Sequence, residues 1–259
     1  MDGEVREDVV SVYWQPGCTS CLRTKEFLTK HGVAFRSCNV LEHPTAMDEL
    51  ARFGLRQVPI VIRGERWVDG QVLRDIAELV GIRYADLGLL PVDDLRVRLD
   101  RILEANVRHL GQLPADALQE QLPNRPRSYA DLVYHIANIA DAFLEHEDGL
   151  PLTFDSYNRT PPEAMQTHAA LAAYGRDVRA RVAAWFDGPG QGADWQKAAD
   201  VYYARQTLHE FLERTTWHAG QHLRQLVWVL ETKGIVPQEP VGRETFDGLP
   251  MPEQVWEPV

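Results

Sequence analysis

Cys18 and Cys21 stand three positions apart in Trp14-Gln15-Pro16-Gly17-Cys18-Thr19-Ser20-Cys21, between a short apolar run and a helical pattern. A close CxxC pair points to thiol redox chemistry or to metal binding. Thiol–disulfide exchange needs one sulfur as an accessible thiolate and a second within reach to resolve the mixed disulfide. A loop that becomes a helix at Cys18 supplies the first, because unpaired backbone N–H groups and the helix dipole favour negative charge there. Cys21, one turn later, supplies the second. Pro16-Gly17 favours a tight turn before the pair, and Arg23 and Lys25 add positive charge nearby. A structural zinc knuckle would want a second cysteine pair, and only Cys38 is left. Cys38, on a predicted strand, suits a small buried hydrophobe.

A second group of residues able to do chemistry lies downstream. His218 and His222 are i and i+4, so a helix puts both on one face. His135 lies on an earlier helical segment, which a bundle can bring opposite. Three imidazoles that leave coordination positions for water or substrate make a catalytic metal arrangement. Zinc is the default divalent ion by ligand type, and nickel, iron or copper also accept imidazole. By spacing alone the HxxxH pair is a weak signal, and a chance pair of helical histidines is the competing reading. His209 is nine positions before His218 and falls off that face. His31, His43, His109 and His168 have no pattern and suit surface or packing positions, while His146 sits near a helix end where it can support the site.

The elements that must position these groups divide into two sets. The chain has 259 residues, room for two domains. Over residues 1–82 the pattern predicts strand 9–14, helix 22–31, strand 33–40, helix 45–53, strand 58–62, a strand at 67–68 and helix 72–80. That order suits a small sheet with helices packed on it. Residues 83–92, with Gly88 and Pro91, suit a short linker. Over 93–240 long helices are predicted at 93–113, 129–145, 164–186 and 207–233, which together suit a four-helix bundle. Ser128 is a candidate N-cap for the second. Residues 195–203 suit a short helix or an ordered loop. The polar and aromatic stretch Asp155-Ser156-Tyr157-Asn158-Arg159 can line a pocket mouth, and 241–259 suits a surface tail on which Phe246 and Trp256 can dock.

The formal net charge of -11 argues against generic nucleic-acid binding, which wants a concentrated basic face. No leading apolar segment and no run of membrane-spanning length is present, so a cytoplasmic protein without a membrane partner is expected. Three cysteines cannot make a disulfide framework for a chain of this size.

Cys18-Thr19-Ser20-Cys21, Val58-Pro59 and the turn Asp69-Gly70-Gln71 together resemble the glutaredoxin family of the thioredoxin fold. The resemblance covers roughly residues 7 to 82. It implies that Cys18 is the nucleophile, Cys21 the resolving cysteine and Pro59 a cis proline whose loop lies against the cysteines. Val58, Pro59, Gly70 and Arg23 are the implied thiol-binding positions, and a low-molecular-weight thiol is the implied cosubstrate. Asp69 stands where the family usually has glycine, Val72 where an acid is common, and Ser11 where glutathione users often have lysine. These departures weigh against ordinary glutathione use and leave a different low-molecular-weight thiol, such as mycothiol, or a purely internal thiol as the alternatives.

Tyr134-His135-Ile136-Ala137 and Trp217-His218-Ala219-Gly220-Gln221-His222-Leu223-Arg224-Gln225-Leu226 resemble the DinB-like superfamily, which includes mycothiol-dependent maleylpyruvate isomerases. The resemblance implies a four-helix bundle over roughly 93–236 with His135, His218 and His222 as divalent-metal ligands. The fold class expected is therefore α/β plus all-α: a thioredoxin-like glutaredoxin fold followed by a DinB-like four-helix bundle. Three functions compete. One is a thiol–disulfide oxidoreductase with a metal-assisted S-transferase, lyase or isomerase module. Another is a plain disulfide reductase with a structural or partner-binding bundle. The third is a metal-binding sensor controlled by the CxxC pair. A small-molecule thiol or disulfide is the expected partner, and Arg23, Arg224 and the 155–159 stretch are candidates for holding an anionic substrate. Substrate and oligomeric state are not legible.

Overall fold

The computed structural model describes residues 9–84, 88–123 and 125–257. Of the sequence-based expectations, the start of the chain, residues 85–87 of the linker, Asn124 and the last two residues of the tail lie outside that set. The chain forms two compact units, Met1–Leu87 with Pro252–Val259, and Gly88–Met251.

The first unit runs β1 (Val10–Trp14), α1 (Thr19–Lys30), β2 (Phe35–Asn39), α2 (Ala46–Ala51), β3 (Ile60–Arg63), β4 (Arg66–Asp69) and α3 (Leu73–Val80). The sheet order is β2-β1-β3-β4. β1 pairs parallel with β2, so the connection must cross over, and α1 makes that crossing. β3 is antiparallel to both β1 and β4. Alternation along β1 divides the core between two faces. Val10 and Val12 join Val61, Leu28 of α1 and Ile76 and Leu79 of α3. Tyr13 joins Cys38, Ile60, Ile62 and Leu50 of α2 on the other face. Cys38 is fully buried there, and burial pushes its thiol up. This is a three-layer thioredoxin-like fold. The predicted first helix begins later than the real one. α1 starts at Thr19 because Cys18 is its N-cap, which places the CxxC pair across its first turn.

The second unit is built on α4 (Val92–Leu110), α5 (Tyr129–Glu147), α7 (His168–Asp187) and α8 (Leu208–Thr232), with the single turn α6 (Phe154–Tyr157) between α5 and α7. α4 and α5 each pack on both α7 and α8, so the two helices adjacent in sequence sit diagonally in the bundle. Leu95, Leu99, Ile102 and Leu103 form the buried stripe of α4. α5 is buried on nearly every side from Tyr129 to Leu144. Gly175 of α7 is where α4 comes close: a Cβ there would lie 2.8 Å from Val107.

Three expectations are corrected. The third long helix begins at His168 rather than 164, because the Thr167 side chain caps it by accepting the Ala170 N–H. Residues 195–203 form neither a helix nor a loop alone: β5 (Ala198–Val201) and β6 (Ala204–Thr207) make an antiparallel hairpin. The tail does not lie free as one surface piece. Residues up to Met251 belong to the helical unit, where Phe246 approaches Gly220 of α8, and the remainder belongs to the first unit.

Candidate redox site and candidate metal centre

Cys18 and Cys21 form a disulfide with their Cα atoms 5.2 Å apart. The Cys18 sulfur accepts the backbone N–H of Cys21 at 3.2 Å, so Cys18 is the cap of α1. Cys18 is half-buried, whereas Cys21 is fully buried. Cys18 is the more exposed residue of the pair, and Cys21 is enclosed. That asymmetry is what attack followed by resolution requires.

Val58-Pro59 is a cis peptide. Val58 is half-buried, and Pro59 and Gly70 are buried beside each other. The Gly70 N–H donates to the Pro59 carbonyl at 2.9 Å. Helix α1 reaches the same turn twice: the Thr24 hydroxyl donates to the Gly70 carbonyl at 2.6 Å, and the Arg23 guanidinium donates to the Gln71 carbonyl at 2.6 Å. Arg23 is thus 7% exposed and turned inward, holding the 69–71 turn. Lys25 lies over the Trp14 ring at 3.4 Å and pairs with Glu257 at 2.9 Å.

In the helical unit, His135 on α5 meets His218 and His222 on α8. One nitrogen from each ring lies within 4.8 Å of the others, and all three residues are buried. Ser128 caps α5 in a capping box with Asp131, two turns before His135. Thr207 and Glu210 do the same for α8. His218 Nε2 and His222 Nε2 are 3.2 Å apart. Two nitrogens bound to one ion at about 2.0–2.1 Å subtend a tetrahedral chord of roughly 3.3 Å, so the spacing fits. The Gln225 side-chain oxygen is 2.7 Å from His222 Nδ1 and accepts its proton, which directs the Nε2 lone pair at the centre. His135 Nδ1 is buried with no hydrogen-bond partner among the described residues, as suits a ligand atom. The donor set accepts zinc, nickel, iron or copper.

All three rings are held well below the usual imidazole range, first by burial and then by positive neighbours. Arg127 is the leading charge on His135 and His222, and Arg214 on His218. Arg214 Nη1 is 3.3 Å from His218 Nδ1. Its guanidinium also lies 4.3 Å from the Tyr203 ring and 5.1 Å from the Tyr157 ring. Sequence reasoning missed Arg214, Arg127 and Arg125. Arg214 had a signal, being one turn before His218 on the same face; the two loop arginines had none.

The other sequence candidates lie elsewhere. Arg224 donates to Gln221 on its own helix at 2.8 Å. Arg159 pairs with Glu145 at 2.5 and 2.9 Å. His209 bonds the Leu90 carbonyl, His168 the Leu113 carbonyl, His109 the Gln112 side chain and His146 the Glu147 carboxylate.

Fold and sites define a dithiol redox unit followed by a histidine-bearing helical bundle. Residues 10–68 match the glutaredoxin family and residues 98–226 match the DinB superfamily, and the chain belongs to the glutaredoxin family through its first unit. Among curated proteins it is 27% identical over 71 residues to the glutaredoxin-like protein NrdH of Lactococcus lactis subsp. cremoris, covering 27% of this chain and 99% of that one. It is 34% identical over 56 residues to glutaredoxin-like protein NrdH of Escherichia coli (strain K12), covering 22% of this chain and 69% of the relative. A solved thioredoxin-like protein is 26% identical, covering 30% of this chain and all of that one, with a TM-score of 0.28. Among the described residues no helix is long and apolar enough to cross a membrane.

Proposed function

We propose that this protein is a thiol–disulfide oxidoreductase whose helical unit adds a metal-assisted step on a low-molecular-weight thiol or its adduct. The half-buried Cys18 sulfur at the head of α1, paired to a fully buried Cys21, carries the reading. The reaction balances as follows. The Cys18 thiolate attacks a substrate disulfide and releases one substrate thiolate. The Cys21 thiolate then attacks the Cys18 mixed disulfide, releasing the second thiolate and leaving Cys18–Cys21 oxidised. Two equivalents of a low-molecular-weight thiol, mycothiol or glutathione, return the pair to the dithiol through a mixed disulfide and leave as their own disulfide. Val58, Pro59 and Gly70 form the thiol-binding wall, and Arg23 serves it by fixing the turn that ends in Gln71.

His135, His218 and His222 would hold the divalent ion, zinc by donor type. Bound there, it would lower the pKa of a coordinated thiol and polarise an electrophile, as S-transferase, lyase or isomerase chemistry needs. Gln225 keeps His222 in the ligating tautomer, and burial keeps all three rings neutral. The partner is a small thiol or disulfide rather than a nucleic acid or membrane, in keeping with the net charge of -11. A cytoplasmic setting, where thiols stay reduced, suits the cycle.

Reduction of a small disulfide by the full chain tests the redox assignment. Cys18→Ser is expected to abolish it, and Cys21→Ser to stop at a mixed disulfide visible by mass spectrometry. Equal rates in wild type and Cys18→Ser would sink the assignment. For the helical unit, elemental analysis should find one divalent ion per chain, lost in His218→Ala. A metal-free wild type, with every activity intact in His218→Ala, would leave the bundle a structural role only.

A further inference from the structure

We propose that the three-histidine centre takes a carboxylate-bearing ligand, its charge met by the Arg127 guanidinium and its oxygen by the Tyr157 hydroxyl. The proposal rests on the reading of this centre as the bundle's chemical site and names what that site binds. Tyr157, on the short turn α6, is 2% exposed and its ring centroid is 6.4 Å from that of His218. Its hydroxyl is buried without a hydrogen-bond partner among the described residues. Nη1 of Arg127 is in the same condition. Buried donors without acceptors are costly to a fold and mark where a ligand's oxygens belong. Burial raises the Tyr157 phenol well above its usual range, so it stays an O–H donor.

Charge gives an independent reason. The leading charges acting on the three rings are positive: Arg127 and Arg125 on all three, with Arg214 strongest on His218. Arg125 and Arg127 are themselves pulled below the usual guanidinium range by burial, Arg127 to about 9. The ligand set is three neutral imidazoles with no carboxylate in it. A divalent ion there would add two further charges to a cationic, poorly hydrated place. An anion offsets that charge at far lower cost inside the fold than water could.

Isothermal titration of the full chain with benzoate, and with benzamide as its uncharged match, tests this. Both zinc-loaded and chelator-treated protein are used, with zinc measured on the same samples. Benzoate is expected to bind and benzamide not to. Arg127→Gln should weaken benzoate about tenfold or more, and Tyr157→Phe several-fold, with zinc content unchanged. Benzoate binding no tighter than benzamide, or unaltered in Arg127→Gln of wild-type thermal midpoint, overturns the proposal. If Arg127→Gln does not fold, Tyr157→Phe, which removes one oxygen, decides by the same criterion. A chain that holds one zinc but no benzoate keeps the metal centre and loses the anion site. A chain that holds no zinc but binds benzoate through Arg127 keeps the anion site and loses the metal centre.

Discussion

At the scale of single residues, the three buried imidazoles make stability depend on pH. Each has a folded pKa below its unfolded value, because burial and the neighbouring arginines oppose protonation. Below roughly 6.5 the unfolded chain therefore binds protons that the folded chain refuses. Stability is fully present above that value and falls as pH drops beneath it, by up to about 1.4 kcal/mol per pH unit for each ring. Glu49 acts in a separate window. Hydrogen bonds from Thr45 and Tyr13, with Arg36 beside it, hold its carboxyl at about 2, so its contribution is lost only below about pH 4.5. For metal-stripped protein, the thermal midpoint of the helical unit should hold above about pH 7 and fall from about pH 6.5 to about pH 5.5, and His222→Gln should flatten the slope. An equal slope in that variant would remove His222 from the account. The pairing of His218 with His222 was legible because a helix fixes i and i+4 by itself. His135 was offered as a third ligand from its place on an earlier helix and assigned through resemblance, since no local rule says which helices will face each other. Arg23 was read as positive charge near the cysteines and a candidate for holding an anionic ligand. It is buried because its guanidinium satisfies the Gln71 carbonyl, a partner 48 positions away.

At the scale of elements, α1 is the part that links chemistry to architecture. It begins at the Cys18 cap, and one turn after Cys21 it binds the turn that backs the cis proline. Gly70 is the tightest point of that assembly. A Cβ there would lie 2.8 Å from Pro59 Cβ and 2.9 Å from Thr24 Oγ1, so one of these neighbours would have to shift. Gly70→Ala should cost about 1–3 kcal/mol through overpacking. It should also slow disulfide reduction, because the Pro59 loop must shift; urea midpoint and kcat/KM measure the two effects. An alanine variant with unchanged midpoint would show the turn to be looser than its contacts imply. The caps at Cys18 and Ser128 and most strand and helix positions were visible in the sequence, since local chemistry dictates them. The β5–β6 hairpin was not. Its strands are four residues each and its turn is Tyr202-Tyr203, which carries none of the usual Gly or Asn signals. The diagonal placement of α4 and α5 was hidden as well, because periodicity reports which face is buried but not against what.

At the scale of the whole molecule, the chain's end belongs to the unit that opens it. The backbone N–H groups of Glu253 and Gln254 donate to the Glu26 carboxylate of α1 at 2.6 and 3.0 Å. Glu257 pairs with Lys25, the same lysine that lies over Trp14. Burial raises the Glu257 carboxyl, and Lys25 works against that rise. The sequence gives little warning of this, because a Pro- and Glu-rich end has no periodicity and its partners are over 220 positions away. The redox unit is therefore completed by residues that follow the helical unit in sequence. A chain ending at Met251 should lose about 2 kcal/mol from the transition of the redox unit, the sum of two charge-assisted bonds and one partly shielded ion pair. The transition of the helical unit should stay in place, since it keeps all of Gly88–Met251. Chelation should do the reverse, moving the helical transition and leaving the redox one. Glu26→Gln in the full chain should reproduce about half of the truncation loss by weakening both backbone bonds together. Differential scanning calorimetry resolves these shifts, and a truncated chain whose redox transition matches wild type would show that the returning segment adds no stability to the unit it touches.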